Sequence, residues 1–259
     1  IWDAVRDGLE LMLYGEAGHT LEFMVLDFKD AFYMLPLAHS EQRYFCTYYK
    51  QLFYVWQRVA QGSLNGPNTF GRLSAAVGRM TSGMLQEHEA RLQIYTDDPL
   101  LALYASPRRK RVTIASVVML WLMMGFSLAY HKGQFGREVC WVGYDLKATR
   151  DGIEASIKAQ FMKDFVEATT ATGAKNIIGK KALQSYAGRA NHISNLLKAW
   201  RPFLDCFWAA LYDKRPSRAP RGMIWTSQVR SALDWLSCFL AGHHGPLRKK
   251  WELRSYAQD

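Results

Sequence analysis

LQIYTDDPLLALY, residues 92–104, sets two apolar runs on either side of two adjacent aspartates. Apolar and β-forming residues flanking a short polar segment read as a β-hairpin with TDDP at its tip. Alone, TDDP is a turn, because aspartate and proline both favour turns. Two neighbouring carboxylates repel each other, however, and one of them binds its proton more tightly unless a cation holds the pair. The pair therefore carries chemistry only if a third carboxylate converges on it. Asp27 is the candidate: it stands at the end of LEFMVLDF (21–28), a short apolar stretch that reads as a buried strand, where the chain turns sharply into KDAF. Carboxylates on adjacent strands can hold two magnesium ions ~3.5–4 Å apart, one activating an attacking hydroxyl and the other stabilising a leaving group.

Outward from these two stretches the periodicity predicts the rest. KDAFYMLPL changes period, with Pro36 closing a few helical turns. Residues 42–59 are dense in aromatic and β-branched residues and predict two strands. QGSLNGPN (61–68) breaks the pattern, and a helix is expected from Thr69 to Leu85. A further helix is expected over 108–124, ended by Gly125, then FSLAY and EVCWVGYDL as the next two strands. Strands interleaved with helices in this order predict an α+β fold with a mostly antiparallel sheet over residues 1–150. Beyond Asp151 the chain turns mainly helical, with helices expected over 156–170, 180–197 and 200–213. RPSRAPRG (215–222) reads as a linker within a third region, 215–259, which holds a helix over 226–241, a basic loop and the strand-like WELRSYAQD. There is no internal repeat.

The 259 residues, 49% hydrophobic, can bury one large core or two modest ones, which excludes a disordered chain. The chain opens on Ile1 without a leader pattern and reads as an excerpt of a longer polypeptide that is not secreted. Cys46, Cys140, Cys206 and Cys238 lie far apart with no CxxC pair, so reduced, buried thiols and an intracellular setting, cytoplasm or nucleus, are expected. The net charge of +10 is uneven: residues 1–100 carry 8 Lys+Arg against 12 Asp+Glu, whereas 151–259 carry 17 against 9. A basic half beside an acidic one suits a protein that holds a polyanion with one part and a cation-dependent site with the other, although from charge alone solvated surface lysine and arginine is the favoured reading. No charge occurs between Val112 and Tyr130, long enough to flag a membrane span; Thr113, Ser116, Gly125 and Ser127 interrupt it and argue against one.

LDFKDAFYMLPL, QGSLNGPNTF, YTDD, GFSLAYHKGQF and WVGY resemble, in order and near spacing, the reverse transcriptase motifs of retroviruses and retrotransposons. The later LQSYAGRANHISNLLKAWRPFLDCFW resembles the thumb and connection of retrotransposon polymerases, most of all DIRS-type elements. The resemblance implies a polymerase palm with partial fingers, then a thumb-like helical region and a connection. It implies an RNA-directed DNA polymerase that adds deoxynucleotides to a primer 3′-hydroxyl on an RNA or DNA template. It implies no membrane partner, and the remainder of a Pol-type polyprotein as its context.

On the same ground Asp27 and Asp97 are the metal-binding aspartates and Asp98 a supporting third, with two Mg²⁺ ions, or Mn²⁺ in their place. Phe32 matches the aromatic gate that excludes a ribose 2′-hydroxyl, Gln61 and Gly62 the segment facing the incoming nucleotide and template, and Lys132 a lysine near the pyrophosphate. Trp141, Val142, Gly143 and Tyr144 match the hairpin that grips the primer terminus. The basic helices with Lys180, Lys181, Arg189, Lys198 and Arg201 would face the template–primer duplex. Read without the family, Phe32, Trp141 and Tyr144 are equally core aromatics and Lys132 a solvent lysine.

Three departures stand out. Only 26 residues with one cation, Arg6, precede Asp27, where the fingers should lie. Pro99 removes a backbone donor from the start of a strand, and Ser63 stands where a large residue is usual. A degenerate or domesticated copy that binds nucleic acid without catalysis is therefore the rival reading, ahead of a membrane protein built on 112–130. An RNA-templated RNA polymerase would share the carboxylates, and Phe32 speaks against it. LRSYAQD resembles the first strand of a ribonuclease H domain, with Asp259 at its first acidic position.

Overall fold

The computed structural model describes residues 1–213, 219–242 and 247–257. The chain divides into two compact units, one of residues 2–142, 146–153 and 251–259, the other of Ile1, 143–145 and 154–250.

In the first unit the order is α1 (Trp2–Tyr14), β1 (Thr20–Val25), α2 (His39–Gln42), β2 (Cys46–Tyr49), β3 (Leu52–Val55), α3 (Gly66–Met84), β4 (Ala90–Tyr95), β5 (Asp98–Ala105), α4 (Pro107–Met123), β6 (Gln134–Gly136) and β7 (Glu138–Trp141). The strands β4-β5-β1-β6 form one antiparallel sheet. β5 lies inside this sheet and is covered on both faces, which is why its run from Pro99 to Ala105 is apolar without alternation and wholly buried. On one face Met24, Leu26, Phe28, Leu101 and Leu103 pack with Phe70 and Val77 of α3 and Val117 and Trp121 of α4. Phe28 meets the Trp121 ring edge-on at 5.2 Å, and the Trp121 indole N–H donates to Thr81 Oγ1 at 2.9 Å, so the buried indole is satisfied. α1 packs on β5 and β4 and is tied there by charge: Arg91 of β4 pairs with Glu10 and Asp7, and Gln93 donates to Asp7. Lys110 of α4, 3% exposed, is held by Glu22 Oε2 and the Thr20 carbonyl, both at 2.6 Å.

The remaining elements are β8 (Tyr144–Ala148), β9 (Gly152–Ile157), α5 (Ala159–Gly173), β10 (Ile177–Gly179), α6 (Lys180–Leu196), α7 (Arg201–Tyr212), β11 (Met223–Trp225), α8 (Arg230–Ala241), β12 (Leu247–Glu252) and α9 (Leu253–Tyr256). In the second unit α5, α6, α7 and α8 enclose an aromatic core. Phe165 stacks on Tyr186 at 5.1 Å, Trp200 meets Phe239 edge-on at 5.2 Å, and Phe203 stacks on Trp235 at 3.7 Å. The Tyr186 hydroxyl shares a hydrogen bond with Thr169, and burial pushes its pKa up to about 12.

The α+β class and the antiparallel sheet agree with the sequence reading, and several local expectations need correction. FSLAY is not a strand: Leu128 makes one isolated bridge to Phe28, and Tyr130–Lys132 form a 3₁₀ turn, because Gly125 leaves α4 at φ +85° and the chain reverses tightly. EVCWVGYDL is broken at Val142 (φ +50°) and Gly143 (φ +80°), two positive φ values in succession that interrupt any strand. α3 begins three residues before the expected start, since Gly66 and Pro67 occupy its first turn, where a missing N–H costs nothing. The basic Arg248–Lys250 belong to β12, while Leu253–Tyr256 are helical. Cys46, Cys206 and Cys238 are exposed and Cys140 half-buried, against the expected burial; none is in a disulfide. Among the described residues no helix is long and apolar enough to cross a membrane. Residues 215–218 of the expected linker, much of the basic loop and Asp259 lie outside the described residues.

Candidate active site

The β1–β5 register sets Val25 opposite Leu100. Two further hydrogen bonds, from Leu26 N–H to the Pro99 carbonyl (3.3 Å) and from Phe28 N–H to the Asp97 carbonyl (3.1 Å), carry it past the end of β1. Asp27 is thereby brought opposite Asp98. Pro99 has no N–H to return to Leu26, so the ladder runs one way there, an uncommon place for proline in a sheet interior. The hairpin turns through Thr96 and Asp97 alone, because Tyr95 pairs with Asp98. Thr96 is held at φ +57°, a conformation that a β-branched residue adopts only under constraint.

Three carboxylates now influence one another. Burial first, then the charges of Asp97 and Asp27, push the Asp98 carboxyl above its ordinary range, and Lys132 partly offsets them. The Lys132 ammonium donates to Asp27 Oδ2, and this hydrogen bond with its charge raises the lysine pKa, so Lys132 stays protonated at neutral pH. The 3₁₀ turn that carries Lys132 is fixed by the Ala129 N–H, which donates to the Asp27 carbonyl at 2.9 Å.

A cleft of about 390 Å³ collects Asp27, Asp97, Phe32, Gln61 and Lys132, together with Asp30, Tyr33 and His131. Phe32 reaches it from the 3₁₀ turn Ala31–Met34 and packs on Phe70 at 5.5 Å. Gln61 reaches it because Val59 N–H donates to the Leu35 carbonyl and Leu37 N–H to the Gln57 carbonyl, holding the two segments side by side. Gly62, at φ +90° with open space around it, closes the turn Ala60–Ser63. Asp98 does not line the cleft. Among the described residues no group of three or more His, Cys, Asp or Glu side chains is arranged to hold a metal ion. Asp27 and Asp97, both facing the cleft, are the oxygen donors a hard cation would use, and the mutual repulsion felt by Asp98 is what such a cation would relieve.

Of the expected primer grip, Trp141 and Tyr144 are buried and Gly143 is exposed. The Trp141 indole N–H donates to the Asp98 carbonyl at 2.9 Å, a tie to the aspartate hairpin that the sequence did not announce. Tyr144 stacks on His192 at 4.4 Å and donates to the His192 carbonyl at 2.6 Å. Lys180, Lys181, Lys198 and Arg201 are exposed on the second unit, whereas Arg189 is half-buried with its Nε lacking a hydrogen-bond partner. Sequence reasoning missed His192 altogether: a single histidine in ANHISN carries no local signal.

No family model matches the chain. It is 27% identical over 221 residues to the Gag-Pol polyprotein of Gibbon ape leukemia virus, covering 82% of this chain and 12% of that protein. It is 33% identical over 135 residues to the Gag-Pol polyprotein of Baboon endogenous virus (strain M7), covering 48% of this chain and 7% of that protein. Among solved structures it is similar to the foamy viral protease-reverse transcriptase in complex with RNA/DNA hybrid and with dsDNA, each at a TM-score of 0.57 over 90% of this chain, with 17% and 19% identity and covering 28% and 44% of those chains. The chain is thus similar to a short segment of retroviral Gag-Pol polyproteins and shares its fold with the foamy viral protease-reverse transcriptase.

Proposed function

We propose that the chain is the RNA-directed DNA polymerase core of a retroelement, with residues 1–150 as palm and partial fingers, 151–214 as a thumb-like region and 215–259 as linker and connection. The observation that carries the reading is the cleft, in which Asp27, Asp97, Lys132, Phe32 and Gln61 arrive from four separate stretches of sequence. Template and primer are the expected partners, since the similar solved proteins hold RNA/DNA hybrid or dsDNA, and deoxynucleoside triphosphates are the substrates.

In this reading Asp27 and Asp97, supported by Asp98, would hold two Mg²⁺ ions, and the bound metal would supply Lewis-acid activation of the primer 3′-hydroxyl and charge neutralisation at the triphosphate. The 3′-oxygen, its proton passing to solvent, forms a bond to the α-phosphorus while the bond to pyrophosphate breaks. Lys132, protonated at neutral pH, gives its proton to the departing pyrophosphate. Phe32, on the cleft wall, excludes a 2′-hydroxyl. Gln61 and the open backbone at Gly62 meet the nucleotide and template strand. The exposed cations Lys180, Lys181, Lys198 and Arg201 hold the duplex without regard to sequence, so binding weakens steeply with salt.

A second reading, a nucleic-acid-binding copy without catalysis, is favoured by the Lys132 ammonium seated on Asp27. Primer extension on an RNA template, with Mg²⁺ and deoxynucleotides, separates the two. The longest polypeptide that carries this chain is used, with Asp97→Asn as control. Extension abolished in the control supports the polymerase; a folded protein that binds template–primer and extends nothing supports the inactive copy.

A further inference from the structure

The turn at Val142 and Gly143 is built in an unusual way. Both residues take positive φ, and Gly143 is exposed at the tip. A Cβ at Gly143 would come within 3.1 Å of His192 Cε1 and 3.4 Å of its Nε2, so the imidazole lies directly against the glycine backbone. The ring also hydrogen-bonds the Gly143 backbone, stacks on Tyr144 at 4.4 Å and 25°, and touches Phe161 at 5.1 Å. The carbonyl of the same residue accepts from the Tyr144 hydroxyl. One residue of α6 therefore grips two consecutive residues of the turn, with its ring and with its main chain.

Deepening the polymerase reading and resting on it, we infer that His192 is a positioning residue for the primer terminus: it fixes the Gly143 peptide so that its exposed backbone meets the primer strand. A Cβ at Gly143 would press on the imidazole, which would have to give by a few tenths of an ångström, and at φ +80° a side chain there is strained whatever the space. Burial lowers the His192 pKa, so the ring is neutral at pH 7. A neutral imidazole has a single N–H. Committed to Gly143, the ring orients the turn and does not bind phosphate itself.

The test measures steady-state extension and binding of a recessed 3′-end duplex by fluorescence anisotropy, for the wild type and for His192→Ala, His192→Phe and His192→Gln, each checked for its melting temperature. Losing one hydrogen bond to the turn should raise KM for template–primer roughly three- to tenfold in the Ala variant and leave KM for the deoxynucleotide unchanged. His192→Phe keeps a ring against Tyr144 and should not rescue; His192→Gln keeps an N–H and should recover part of the loss. Equal shifts of both KM values that follow the fall in melting temperature, or no shift at all, would overturn the inference. If the wild type extends nothing, the polymerase reading fails. The inference then stands on the anisotropy alone, needing His192→Ala to lose the preference for a recessed 3′ end over a blunt duplex. Wild-type protein with no such preference would sink it as well.

Discussion

The β2–β3 and β4–β5 hairpins are alike locally and opposite in setting. Both turn through two residues, Lys50 and Gln51 at φ +48° and +62° in the first, Thr96 and Asp97 in the second. Both draw on aromatic and branched residues. Yet every strand residue of β2 and β3 is exposed, Phe53 to 77%, while Pro99–Ala105 of β5 are all buried between layers of helix. Hairpin formation is a local matter. What makes the aspartates at one tip interact is the layering around it: the sheet continues into Leu26–Phe28, and Asp27 has no freedom to move away from Asp98.

The largest expected effect is chemical. Asp27→Asn leaves the ladder intact, because the hydrogen bonds that carry it are made by the main chain of Leu26, Phe28, Pro99 and Asp97. Extension should nonetheless fall by about three orders of magnitude or more, as expected when a charge essential to the transition state is removed. A polar substitution at the other tip, Gln51→Asn, should leave the rate within about twofold. Single-turnover extension rates decide; comparable losses at the two tips would dissolve the contrast.

Stability should divide in the same way. Trp121→Ala empties a fully buried site and leaves Thr81 without its donor, so a loss of about 3–5 kcal/mol is expected in urea unfolding. Phe53→Ala, removing an equally apolar ring from the exposed hairpin, should cost about 0.5 kcal/mol or less. A large cost at Phe53 would mean that the exposed face is covered in solution.

That contrast marks what the sequence could say. The two hairpins, the turn after Asp27 and the long helices were legible because periodicity and turn residues act over a few positions. The convergence of Asp27, Asp97 and Lys132 was legible only through ordered motifs, since the contacts span up to 105 residues. The broken strand at Val142 was misread because valine carries no warning of positive φ. Burial of the cysteines was misread because thiol type is a weak guide to position, and three of the four fell on exposed faces. Lys110 illustrates the same limit, for nothing in PRRKR tells which of its four cations the fold buries.

Backbone strain at the tip gives a smaller effect. Thr96→Gly should relieve the positive φ and stabilise the fold by about 1 kcal/mol, while loosening the turn that aims Asp97 and lowering the extension rate. Opposite signs for stability and rate would show that the strain belongs to the site; a parallel loss of both would assign Thr96 to packing.

The smallest effect concerns the repulsion among the carboxylates, read in metal-free buffer. Asp98 binds its proton more tightly folded than unfolded, because burial and the charges of Asp97 and Asp27 disfavour its anion. The sign follows from linkage: below the ordinary aspartate range the group is protonated in both states and adds no penalty, and as pH rises through the folded pKa the native state loses stability relative to the unfolded chain. Asp98→Asn, which cannot ionise, should therefore be more stable than the wild type near pH 7, with the difference shrinking as pH falls toward about 4. With the carboxylate part in solvent and screened, the gain should stay below about 1 kcal/mol. Urea unfolding of both proteins across that range measures it, and Mg²⁺ should erase the advantage if the aspartates are ligands. An Asn variant that is less stable at every pH would mean that the ionised Asp98 is held by favourable contacts, and that the paired charges are a structural device of the hairpin.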